Sequence, residues 1–176
     1  YAPGMFLTAL PYFKDSNVQM VYGDWQEIDV NDQVIATHFA FDYSYGQLVY
    51  EGFHLNTQSM LWRPDLHHRF GMFDERLHRT MDYHFLIRIG QIFKASHFFR
   101  VSAVFGQFRR HNAQKTQGFD PKLALELASI YHSIHAYTGS CRILLRGFFR
   151  LRRLVWYVKR GGVHYAILQL KKWVKK

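Results

Sequence analysis

The chain has one cysteine, Cys141, four prolines, and no acidic residue anywhere in its last 35 positions, 142–176. A single cysteine excludes an internal disulfide and suits a reducing compartment. No apolar run approaches the roughly 18 residues that a membrane-crossing helix needs. The opening "YAPGMFLTALPYF" lacks the basic region and cleavage site of a secretion signal. These absences make a cytoplasmic location the expectation. Phosphate loops rich in glycine, Gly-x-Ser-x-Gly elbows and His-Glu-x-x-His pairs are also missing, which removes the commonest nucleotidase, hydrolase and metalloprotease readings.

What is present is a foldable chain of 176 residues, 48% apolar and 18% aromatic, long enough for one domain with a real core. Its net charge of +10 is unevenly placed. Residues 1–141 hold 12 Lys and Arg against 13 acids, whereas 142–176 hold 11 Lys and Arg and no acid. The body is neutral and the tail carries the excess.

Periodicity and punctuation predict an α/β domain. Met5, Phe6, Ala9 and Leu10 suit a short helix after Pro3. Val18 to Trp25 reads as a strand, followed by a hairpin through Ile28 to Val30, the turn "NDQ" and Val34–Ile35. The aromatic stretch "FDYSYGQLVYEGFHL", with Gly46 and Gly52, predicts a mobile loop over a site. "NTQSMLWR" predicts a strand stopped by Pro64, with a short helix after it that ends at Gly71. A buried helix follows Thr80, then the strand "FFRVSAVFGQFRRH", then a helix from Pro121 with Leu123, Leu127, Ile130 and Ile134 on its stripe. In the tail, Leu144, Phe148, Leu151, Val155 and Val158 form one row, and Arg142, Arg146, Arg150 and Arg153 another. A break at Gly161 or Gly162 precedes a second helix with Ile167, Leu170, Trp173 and Val174 beside four lysines. Two basic amphipathic helices of this kind suit an anionic membrane surface, peripheral to its inner face.

The position that raises a chemical question is Asp82, in "RTMDYHFLIRIG". Behind Thr80 it falls in the first helical turn, where a carboxylate meets the positive end of the helix dipole, a stabilisation of about 0.3–1 kcal/mol that requires no chemistry. His132, His135 and Cys141 read as a polar helix face rather than a zinc site, because no fourth ligand accompanies them.

The surroundings of Asp82 resemble a known family. "GMFDERLHRTMDYHFLIRIG", through Gly71, Phe73, Asp74, Glu75, Asp82, Tyr83 and Arg88, is similar to the acceptor-side segment of family 2 inverting glycosyltransferases. "VYGDWQEID" resembles that family's hairpin, "QSMLWRPDL" its strand and helix start, and "FRRHNAQKT" its His-x-x-Ser-x-Thr loop, with Gln114 where Ser is commoner and Met81 where Glu commonly precedes the Asp. The resemblance covers about residues 1 to 118, with 119–141 as a packing helix and 142–176 as the basic helical tail. It implies a partial GT-A fold, a mixed sheet with flanking helices. "YAPG" resembles the end of the family's Asp-x-Asp metal motif, so the nucleotide-binding half is expected before Tyr1, with its parallel strands, and this portion alone is expected to be inactive.

By the same resemblance Asp82 is the general base that takes the acceptor hydroxyl's proton while that oxygen attacks the anomeric carbon of a nucleotide sugar. An aromatic surround would raise its pKa and the helix end would lower it; the sequence leaves that balance open. Gln58, Trp62 and Tyr83 are the candidate acceptor contacts, with the core as the favoured competing place for Trp62. Arg110, His111, Lys115 and Thr116 are the implied contacts to the donor diphosphate, with Arg109 beside them and His111 a candidate ligand for a divalent Mg or Mn. The implied partners are a nucleotide-sugar donor, a glycan or lipid-linked acceptor, and an anionic membrane surface. The alternative is a basic-tailed binding module without catalysis. Nucleic acid is the less favoured partner, since a regular apolar row is of no use to a nucleic-acid arm.

Overall fold

A computed structural model describes residues 1–52, 55–111 and 121–174, with side chains to 171. The chain is α/β, a mixed four-stranded sheet with flanking helices. Its centre is β1 (Met20–Ile28), which pairs antiparallel with β2 (Val34–His38) at one end and with β3 (Met60–Trp62) at the other. The long strand β4 (Phe98–Arg109) runs parallel to β1 along its whole length. Because β4 occupies one edge of β1 throughout, β2 and β3 share the opposite edge. The sequence placed the parallel strands upstream of Tyr1; one parallel pair is already here. The expected strand-then-hairpin is likewise a single nine-residue strand turning directly into β2.

Alternation along β1 sorts the core into two layers. Met20 and Tyr22 face one side, where they meet Met60, Phe98 and the helix α4 (Met81–Ile92) through Phe85, Leu86, Ile87 and Ile89. Val21 faces the other, packing with Val101, Phe105 and the short helix α1 (Met5–Ala9) through Met5 and Ala9.

The stretch expected to be a mobile loop instead contains α2 (Tyr45–Tyr50), with Gln47, Leu48 and Val49 buried. Ser44 caps it by accepting from the Gln47 N–H at 3.4 Å. Gly46 is there because a β-carbon at that position would sit 2.3 Å from the Phe149 ring. After β3 come α3 (Asp65–Phe70), ended by Gly71 at φ 79°, and α4. Arg88 on α4 reaches back to donate to the carbonyls of Phe70, at 2.5 Å, and Met72, at 2.7 Å, which pins the turn between the two helices.

The last two helices are α5 (Pro121–Ser133) and α6 (Gly139–Val174), the latter broken at Gly162, φ 78°, as the "RGG" predicted. On α5, Ile130 is buried while Leu123 and Leu127 are half-buried at the edge of a pocket. The long helix lies on the body, and its arginine row differs from the expectation. Arg153 is buried rather than solvated, its Nη2 2.6 Å from Oε1 of Glu51, with side chains only 4% and 1% exposed. Arg160, two turns on, donates to Asp24 Oδ2 at 3.0 Å. Leu144, Phe148, Leu151, Val155 and Val158, opposite this face by helical period, are exposed.

Candidate active site

Asp82 stands in the first turn of α4, half-buried, at the edge of a pocket of about 390 Å³. Its Oδ1 accepts the Tyr83 N–H at 2.7 Å and its Oδ2 accepts the Thr57 hydroxyl at 2.9 Å. Two donors on different elements therefore fix the carboxylate plane. Thr57 is itself held by packing. The 3₁₀ turn Thr57–Ser59 presses on β4, where a β-carbon on Gly106 would lie 2.6 Å from the Gln58 carbonyl oxygen. Only glycine permits that approach.

Thr80 does not cap α4 with its side chain, contrary to expectation. Its hydroxyl donates to Glu126 on α5 at 2.7 Å, and the same carboxylate accepts the backbone N–H groups of His78, at 2.7 Å, and Arg79, at 3.1 Å. Burial would raise the Glu126 carboxyl, but these three hydrogen bonds outweigh it and leave it lowered. Glu126 thus ties down the loop that leads into Asp82.

The pocket's remaining walls come from Tyr50 at the end of α2 and Glu51 and Gly52 after it, Tyr83 on α4, Leu123, Leu127 and Tyr131 on α5, and Arg142 and Arg146 on α6, with Arg79 at the rim. The Arg142 guanidinium lies 3.9 Å over the Tyr131 ring. Burial pushes the Glu51 carboxyl up despite the Arg153 guanidinium beside it. A larger pocket of about 510 Å³ lies between β2 and the end of α6, but neither a carboxylate nor a histidine lines it.

The structure brings Asp82 and Tyr83 together at this pocket, and among the described residues Gln58, Trp62, Arg110 and His111 do not line it. Tyr83 is a wall: its ring is buried and its hydroxyl donates to the Leu48 carbonyl at 2.9 Å. Trp62 is half-buried among His67, Phe73 and Phe85, at the edge of the core, and its indole N–H donates to His67 at 3.1 Å. Gln58 is exposed, one residue beyond Thr57. Arg110 and His111 are exposed past the end of β4, and Arg110 donates to Glu27 at 3.0 Å. The Glu27 carboxyl, bonded first by His38 and then by Arg110, is held down at about 2. Arg109 is paired with Asp32. Lys115, Thr116 and Gln114 lie outside the described residues, as do the side chains of Trp173 and Val174.

Among the described residues no group of three His, Cys, Asp or Glu side chains converges as a metal ion would require. No described helix is long and apolar enough to cross a membrane.

Sequence reasoning missed Thr57, Glu126, Glu51 and Asp24. The last two carried a signal, being lone acids inside apolar runs, and Arg153 and Arg160 repeat at a seven-residue spacing that puts them on one helix face. No protein-family model matches the chain, and no curated protein matches it.

Proposed function

We propose that this chain is the acceptor-side portion of an inverting glycosyltransferase of GT-A type, with Asp82 as general base. The observation that carries the reading is a carboxylate fixed by two donors at the mouth of a pocket large enough for a sugar ring. In the proposed step the acceptor hydroxyl gives its proton to Asp82, and its oxygen forms the new bond to the anomeric carbon. The bond to the departing nucleoside diphosphate breaks on the opposite face, and the diphosphate leaves with the electron pair. A positioned base of this kind contributes about 10² to 10⁴ in rate.

The test joins this chain to a GT-A nucleotide-binding half. Asp82→Asn should slow transfer by about 10² to 10⁴ and leave nucleotide-sugar affinity within about twofold, since the amide keeps the shape and loses the basicity. Undiminished turnover in that variant would sink the assignment.

Support for a membrane partner comes from α6. Leu144, Phe148 and Leu151 are 73%, 60% and 62% exposed on the face turned away from the body, an apolar row with Arg150, Arg152 and Lys159 nearby on the helix. That pattern suits peripheral binding at an anionic surface and a lipid-linked acceptor. It disfavours the nucleic-acid module.

A further inference from the structure

We propose that the pocket beside Asp82 takes an acceptor bearing an anionic group, a phosphate or a carboxylate, which Arg142 and Arg146 bind. This inference rests on Asp82 being the base. Arg142 and Arg146 are one helical turn apart on α6, so they share a side of that helix, and both line the pocket that Asp82 lines. Arg142 lies with its guanidinium face against the Tyr131 ring at 3.9 Å. Stacking occupies the face of a guanidinium and leaves its N–H edge available, the edge that meets phosphate or carboxylate oxygens in pairs. Arg146 is exposed at the rim. The other carboxylate in the lining, Glu51, is paired first with the buried Arg153, and its attraction to Arg146 is the weaker one.

Which substrate they meet follows from the direction of the reaction. In a direct displacement the incoming oxygen and the leaving diphosphate are on opposite faces of the anomeric carbon. Groups that share a pocket with the base are therefore on the incoming side and contact the acceptor. A neutral acceptor could accept hydrogen bonds from the two arginines, whereas an anion adds full charge attraction and paired bonds to both oxygens in a partly dried site. The anchoring of α6 through Arg153 and Glu51, two to three turns further along, is what places the arginines.

Purified protein is titrated at constant ionic strength with inorganic pyrophosphate and, in a second arm, with glucuronate. Binding is followed by calorimetry and by the Nε–H resonances of Arg142 and Arg146. We expect one of the two anions to saturate, with the largest shifts at these arginines. Pyrophosphate would point to a phosphate-bearing acceptor, glucuronate to one carrying a uronic acid. Arg142→Gln with Arg146→Gln should weaken binding by about tenfold to a hundredfold, the loss expected for charged hydrogen bonds. The exposed single variant Arg146→Gln should weaken it in the same direction with an unchanged unfolding temperature, so a folding defect at Arg142 does not obscure the result. Asp82→Asn should bind the anion at least as tightly. Failure of both anions to saturate below about 10 mM, a Kd scale of only a few kcal/mol, would overturn the proposal, as would equal binding by the Arg variants. Failure of the base assignment is read separately, as transfer surviving in Asp82→Asn.

Discussion

Replacing Arg153 by methionine removes the cation that faces a carboxylate sealed under α6. Glu51 and Arg153 are 2.6 Å apart with 1% and 4% of their side chains exposed, so no solvent takes the cation's place. Loss of one partner of a buried pair costs about 3–5 kcal/mol. The sign with pH follows from the shift. Burial already raises the Glu51 carboxyl with Arg153 present, and without Arg153 the rise is larger. A carboxyl raised in the folded state binds more protons folded than unfolded, so stability falls as pH climbs above its ordinary value, by up to about 1.4 kcal/mol per pH unit. Arg153→Met should therefore lie close to the parent at pH 5 and fall behind it by about 3–5 kcal/mol at pH 8, or roughly 6–20 °C in midpoint for a chain of this size. The double replacement Glu51→Leu with Arg153→Met should recover most of the loss and abolish the pH dependence, because an apolar pair of similar volume needs no countercharge. Thermal unfolding followed by circular dichroism at both pH values measures this. A single variant with a pH-independent midpoint equal to the parent's would refute the burial of this pair and with it the docking of α6.

Three further outcomes follow from the same geometry. Thr57→Val removes the side-chain donor to Asp82 Oδ2; it should lower kcat in the joined enzyme by about tenfold to a hundredfold, the worth of a charged hydrogen bond, with KM little changed, and Thr57→Ser should restore most of it. Glu27, held at about 2 by His38 and Arg110, contributes stability that is present above pH 4.5 and lost as pH falls toward 2. The midpoint difference between parent and Glu27→Gln should therefore close over that window in acid titrations of unfolding. Leu144→Ser with Leu151→Ser should reduce sedimentation with phosphatidylglycerol vesicles while leaving the midpoint unchanged, since both side chains are exposed and make no core contact.

The order of strands and helices was legible because Pro64, Gly71, Pro121 and Gly162 punctuate clear apolar periods. α2 was not, for a tertiary reason. Gly46 looks like a loop residue in sequence, yet its role is to admit the Phe149 ring from more than 100 residues away. Proximity of the same kind hid the setting of Asp82: its place on the first turn was readable, but Thr57 meets it only through the Gly106 contact, and Glu126 only because α5 folds back over the loop before α4. The tail's two faces were both visible as rows. Which one packs was decided by Asp24 and Glu51, acids buried in the body and far from the tail in sequence.

The central claim is a direct displacement assisted by Asp82, and the configuration of the new glycosidic bond tests it most directly. With an α-linked nucleotide-sugar donor and the joined enzyme, proton NMR of the first product formed should show a β linkage, and Asp82→Asn should slow appearance of that same product by about 10² to 10⁴. An α-linked product, or a β-linked product formed at full rate by Asp82→Asn, would contradict the account.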